Sequence, residues 1–144
     1  MAWLRLVYVA ILAASLANLI NIITLINNPN YITLLGIEHL QSQILFYATA
    51  FFDTWSFGLI IFGLHVLILG RLILKSGFNV KILGILLIIA FVGYTIINSS
   101  NLFFPQYEET MVFVGWAFFI PMISEVALGI WLLFTGIKRV KRTS

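Results

Sequence analysis

Four stretches of this chain are apolar for long enough to cross a lipid bilayer, and that property excludes most other folds. A helix needs roughly 20 predominantly apolar residues to traverse the hydrocarbon core. Such runs occupy residues 6–26, 51–74, 80–97 and 111–136. With 62% hydrophobic and 9% charged residues, a chain of 144 residues has too little polar surface to coat a water-facing globule. The expected fold class is all-α, a polytopic transmembrane helical bundle of four helices forming one domain over residues 1–144, with a basic tail at 138–144.

The charges orient that bundle. Arg5 precedes the first span, Arg71, Lys75 and Lys81 surround the turn between the second and third, and Lys138, Arg139, Lys141 and Arg142 follow the fourth. The opposite loops carry Glu38, Glu108 and Glu109 and no cation. The positive-inside rule then predicts a protein integral to the plasma membrane, the inner membrane of a prokaryote, with both termini cytoplasmic. The formal charge of +3 is scattered or packed into the tail, without the basic stripe that nucleic acid requires, so no nucleic-acid partner is expected. The N-terminal stretch also imitates a signal peptide, with Ser15-Leu16-Ala17 as the small-residue site, but its apolar run continues to Ile26, which favours a retained helix.

Local signals punctuate the spans. Leu74-Lys75-Ser76-Gly77-Phe78-Asn79 reads as a tight hairpin that makes spans two and three antiparallel neighbours. Asn27-Asn28-Pro29-Asn30 is predicted to break the first helix and residues 98–105 the third. Tyr31, Tyr47, Trp55, Tyr107 and Trp116 fall near the outer boundary, and Trp3 and Trp131 toward the inner one, as in an aromatic belt. No strong breaker interrupts residues 37–74, which would reach ~57 Å as one helix, longer than a membrane is thick. The second helix is therefore expected to start near 37, with its first part outside the hydrocarbon, exposing Glu38, His39, Gln41 and Gln43.

Four short runs carry a resemblance. Phe62-Gly63-Leu64-His65-Val66-Leu67-Ile68-Leu69-Gly70, followed by Lys75-Ser76-Gly77-Phe78 and Ile82-Leu83-Gly84, resembles the uncharacterised prokaryotic membrane family catalogued as domain of unknown function 4386, and the run from Pro121 to Leu133 is similar to that family's last helix. The resemblance covers about residues 40–137 and the first helix more loosely. It implies a chain shorter by about two leading helices than usual members, and it implies no activity. Arg71 and Asn79-Val80-Lys81 depart from the family's pattern without threatening the fold.

Function is best sought among groups that are costly where they sit. An ionisable side chain at mid-membrane costs ~2.5–3.5 kcal/mol on insertion scales and usually faces a partner inside the bundle. His65 lies nine residues before Leu74 and Glu125 ten before Thr135. Both are thus predicted ~13–15 Å deep, at one level. The sharp expectation is a His65–Glu125 hydrogen bond forming a proton- or ligand-binding site; the plain one is a structural polar clasp. Asn18 is expected to approach the same layer. Asn18 and Asn21, with Ala10, Ala14 and Ala17, suggest a small-residue packing face, Gly63 and Gly70 read as close-packing sites, and Pro121 should kink the fourth helix. Asp53 belongs at the outer interface.

No phosphate loop, zinc-protease motif or serine elbow is present, and the absence of Cys removes thiolate chemistry and Cys-ligated metals, so neither a cofactor nor a metal is expected. Bis-histidine haem binding needs two inward imidazoles, and with His39 predicted outside the core His65 would need a different axial partner. The leading expectation is a non-enzymatic membrane-embedded interaction or accessory protein, whose partners are the lipid bilayer and a second copy or another membrane protein. A small transporter or proton-linked carrier built on His65 and Glu125 is the alternative, and a lipid-modifying enzyme the third. A transporter needs a hydrated path reaching the pair, an enzyme a polar cavity open to one interface, and an accessory protein neither.

Overall fold

The computed structural model describes residues 2–75, 81–104, 106, 114–116, 119 and 123–133. Five helices organise them: α1 (Ala2–Asn27), α2 (Pro29–Leu35), α3 (Ile37–Lys75), α4 (Lys81–Phe103) and α5 (Ile123–Leu133). No strand occurs among the described residues. Helices α1, α3 and α4 are long and apolar enough to cross a membrane, and α5 is a shorter apolar helix. The turn at 76–80, Glu108, Glu109, Pro121 and the basic tail lie outside the described residues, and with them the expected hairpin cap and proline kink.

The Asn-Pro signal after α1 acts where expected. Asn28 caps α2: its side-chain oxygen accepts the Asn30 amide at 3.1 Å and its carbonyl accepts the Tyr31 amide at 3.1 Å, while Pro29 occupies the first helical position, where an amide hydrogen has no intrahelical partner. The short helix α2 was not foreseen. It ends at Gly36, whose φ of 74° is the left-handed value that favours glycine, and the Gly36 carbonyl then accepts the Leu40 amide to open α3. From there α3 runs unbroken for 39 residues. Glu38, His39, Gln41 and Gln43 are exposed on its first turns, as the length of the segment predicts, and Leu40 is buried.

The third apolar helix corrects the sequence reading. It ends inside the predicted break of residues 98–105, at Phe103, six residues beyond the expected span end at 97. Asn98 is buried, and its amide donates to the Tyr94 carbonyl one turn back at 2.8 Å, so its polar group is satisfied without leaving the helix.

Packing centres on α3. Its contact with α4 is antiparallel: Gly70 meets Gly84, and seven residues earlier Gly63 meets Phe91 and Tyr94. A Cβ on Gly70 would stand 2.8 Å from the Gly84 carbonyl oxygen, so the two backbones touch. Val66, Ile73, Leu87, Ala90 and Leu128 form the buried apolar cluster, through which α5 joins the α3–α4 pair. On its other side α3 receives α1, with Gly58 against Leu12 and His65 against Arg5, again antiparallel.

That pairing corrects the expected packing face of α1. Ala10, Ala14, Ala17 and Asn21 are exposed, whereas Leu12, Ser15 and Leu25 turn inward. Gly58 leaves room for the Leu12 side chain, and Ser15 satisfies its own hydroxyl on the Leu12 carbonyl at 2.7 Å. A larger apolar ridge fitted into a glycine notch thus replaces the small-residue contact.

Candidate functional site

His65 is 3% exposed, in the middle of the three-helix contact. Its Nε2 accepts a hydrogen bond from the Arg5 Nε at 3.2 Å. Arginine has donors only, so this contact requires a lone pair on Nε2, and the imidazole is neutral with its proton on Nδ1. That Nδ1 is buried without a hydrogen-bond partner.

Glu125 reaches the same region from α5. The Tyr94 hydroxyl of α4 donates to its carboxylate, and the remaining oxygen, Oε1, is buried without a partner. An aromatic bridge ties these levels together. Tyr8 of α1 packs edge-on against Phe62 of α3 with ring centres 4.9 Å apart, and Phe62 packs edge-on against Tyr94 at 5.3 Å. Residues from α1, α3, α4 and α5 therefore converge on one layer.

Between them lies a cavity of about 170 Å³, whose wall includes Arg5, Tyr8, Phe62, His65, Glu125 and Leu128. The predicted His65–Glu125 hydrogen bond is not among those formed by the described residues. Arg5 takes one imidazole nitrogen and Tyr94 one carboxylate oxygen, and the two leftover polar atoms belong to residues on the wall of a common space. A buried donor or acceptor left unpaired costs ~1–3 kcal/mol, so two such atoms on residues that line one small cavity are unusual.

Other predicted positions fall elsewhere. Asn18 does not reach this layer: Leu12 lies against Gly58, and six residues further along antiparallel α1 brings Asn18 level with Phe52, about 20 Å along α3 from His65. Asn21 is exposed, Gly63 and Gly70 face α4, and Pro121 is outside the described residues. No group of three or more His, Cys, Asp or Glu suited to a metal ion occurs among the described residues. A wider groove of about 590 Å³ lies on the outer part of α3 and includes Leu35, His39, Gln43 and Tyr47.

Arg5 and Tyr94 are the site residues that sequence reasoning missed. Arg5 looks like an end-of-span cation, and nothing within α1 reveals which residue of α3 stands beside it. Tyr94 carries no signal beyond being a hydroxyl inside an apolar run.

No solved structure matches the chain. An uncharacterized protein of Archaeoglobus fulgidus is 37% identical over 93 residues, covering 62% of this chain and 51% of the relative, so the chain spans about half the length of that protein. The match to the family described as domain of unknown function 4386 extends over residues 1–136, including the first helix, and the chain belongs to that family.

Proposed function

We propose that this chain is an integral plasma-membrane protein that binds a small solute within the bilayer, in the manner of a small transporter or proton-linked carrier. It crosses the membrane four times, with α5 as part of the last span and both termini cytoplasmic. The antiparallel order of α1, α3 and α4 supports this topology, because it gathers Arg5, Arg71, Lys75 and Lys81 toward one end of the bundle and Glu38 and Asp53 toward the other.

The observation that carries the solute-binding reading is a cavity of about 170 Å³ with Arg5, His65 and Glu125 on its wall, beside which one polar atom of His65 and one of Glu125 are buried without a partner. A purely structural clasp closes its hydrogen bonds internally, whereas a binding site keeps some for its ligand. The interaction or accessory role is a second reading, supported by the large apolar side chains that α1 leaves outward, among them Leu6, Val9, Leu16 and Ile20.

Reconstitution into liposomes containing a pH-sensitive dye separates the two. A carrier moves protons in response to an added solute, and both His65→Ala and Glu125→Ala abolish the movement while the protein stays folded. Dye traces identical to those of empty liposomes across a panel of small acids, amides and amines, with unaltered partner co-purification in both variants, favour the accessory role.

A further inference from the structure

His65 Nε2 has one lone pair, and two hydrogens compete for it. In the structure the Arg5 Nε hydrogen occupies it, at 3.2 Å between nitrogens. An imidazole that takes up a proton at Nε2 becomes a cation and has nothing left with which to accept from arginine. The Arg5 contact and a charged His65 therefore exclude each other by valence alone. Two cations in contact within an apolar surround also repel far more strongly than a neutral hydrogen bond attracts.

The groups that face the imidazole give the exclusion a direction. From α1 come Arg5 and Tyr8, together with the amino terminus, whose positive charge acts on His65 as that of Arg5 does. From α4, Tyr94 stands behind Phe62, and from α5, Glu125 brings the acid of the cavity wall. Both of these cations belong to α1, so charging His65 pushes α1 from α3. The same helix is the one most easily moved: it is the least buried of the three long helices, and Trp3, Leu6 and Val7 of its first turns are exposed. Past Tyr8 the next firm contact is Leu12 in the Gly58 notch. The cavity beside Arg5 gives the guanidinium room to leave without displacing packed side chains.

We propose that the Arg5–His65 contact is a proton-operated latch: a proton from solution bonds to His65 Nε2, the Arg5 hydrogen bond is lost, and the first two turns of α1 swing from α3 about Leu12 in the Gly58 notch. No other bond is made or broken. The latch needs no occupant in the cavity, so it stands apart from the solute-binding reading.

The chain has no Cys, so spin labels attach only at introduced sites. Leu6→Cys with Ile82→Cys reports the first turns of α1 against α4, and Ile20→Cys with Ile96→Cys reports the part beyond the pivot; all four side chains are exposed. In the full chain in nanodiscs, electron-resonance distances taken from pH 8 to pH 5 should show a longer population for the first pair and no change for the second. Nitrogen NMR of the chain carrying His39→Gln, which leaves His65 as its one histidine, reads the charge on the imidazole. Its midpoint should coincide with that of the distance change. In Arg5→Met nothing competes for the lone pair, so that midpoint should rise by about one pH unit or more, a gain of about tenfold in proton affinity. His65→Leu should abolish the pH response of the first pair. Thermal unfolding checks that each variant is folded, and the first two measurements need neither of these two variants.

An imidazole that stays neutral down to pH 5 in folded protein overturns the latch, as does one that becomes charged while the first pair keeps its distance. A response that persists in His65→Leu belongs to Glu125 or the amino terminus and overturns the assignment to His65. An unmoved midpoint in Arg5→Met shows that arginine does not compete for the lone pair, and overturns the mechanism. Failure of the latch leaves a solute response in liposomes untouched, and a silent liposome panel leaves the latch standing.

Discussion

The two sides of α3 are built on opposite principles. Toward α4, glycines bring backbones into contact and an apolar cluster fills the seam, so that Leu87 and Ala90 are fully buried. Toward α1 and α5, polar side chains meet around a cavity and two of their atoms go unpaired. In lipid there is no hydrophobic drive to bring helices together, so dispersion between closely fitted surfaces must supply the cohesion. The α4 side has that fit, and the cavity side gives some of it up. The contrast puts close packing on one face of α3 and buried polar groups on the other.

Substitutions can break this contrast, beginning with the most damaging. Gly70→Leu drives a side chain into the Gly84 carbonyl, which lies 2.8 Å from the first added carbon, and should cost about 3 kcal/mol in unfolding from detergent micelles. A small effect would mean that the seam does not hold the bundle together. Gly63→Ala meets the Cβ of Tyr94 at 3.2 Å, a contact that a slight helix shift relieves, and should cost about 1 kcal/mol by the same measurement.

On the cavity side the effects shrink. A double-mutant cycle between Arg5→Met and His65→Leu should give a coupling of about 0.6 kcal/mol, the average for polar contacts between membrane helices. A coupling of several kcal/mol would make the pair a structural clasp and weaken the case for a binding site. Smallest of all, Ala14→Leu on the outward face of α1 should leave unfolding within about 0.5 kcal/mol of the unaltered chain. A large loss there would reveal a partner helix against that face.

Much of the architecture was legible because lipid is an unforgiving solvent for backbone polar groups. The first three apolar runs correspond to α1, α3 and α4, and part of the fourth to α5. The early start of α3 near residue 37 followed from its lack of breakers. Asn98 misled for a local reason: asparagine favours turns, but here its amide bonds to the preceding turn of its own helix.

The site was half legible. His65 and Glu125 stand out from composition alone, since each is expensive in an apolar run. Their partners depend on the register between helices, which periodicity within one helix does not encode. Thus Arg5 proved to be the neighbour of His65, Asn18 fell about 20 Å away, and the direct bond gave way to a space flanked by both groups.

The uninterrupted length of α3 makes it a lever. Glu38, at the exposed end, stands about 48 Å along the rod from the Gly70–Gly84 crossing, and His65 only about 7.5 Å from it. Rocking about that fulcrum divides a displacement of the outer tip by roughly six before it reaches the imidazole. The unequal arms make the exposed end of α3 the part of the helix that any tilt displaces most, and the layer of His65 a part it displaces far less.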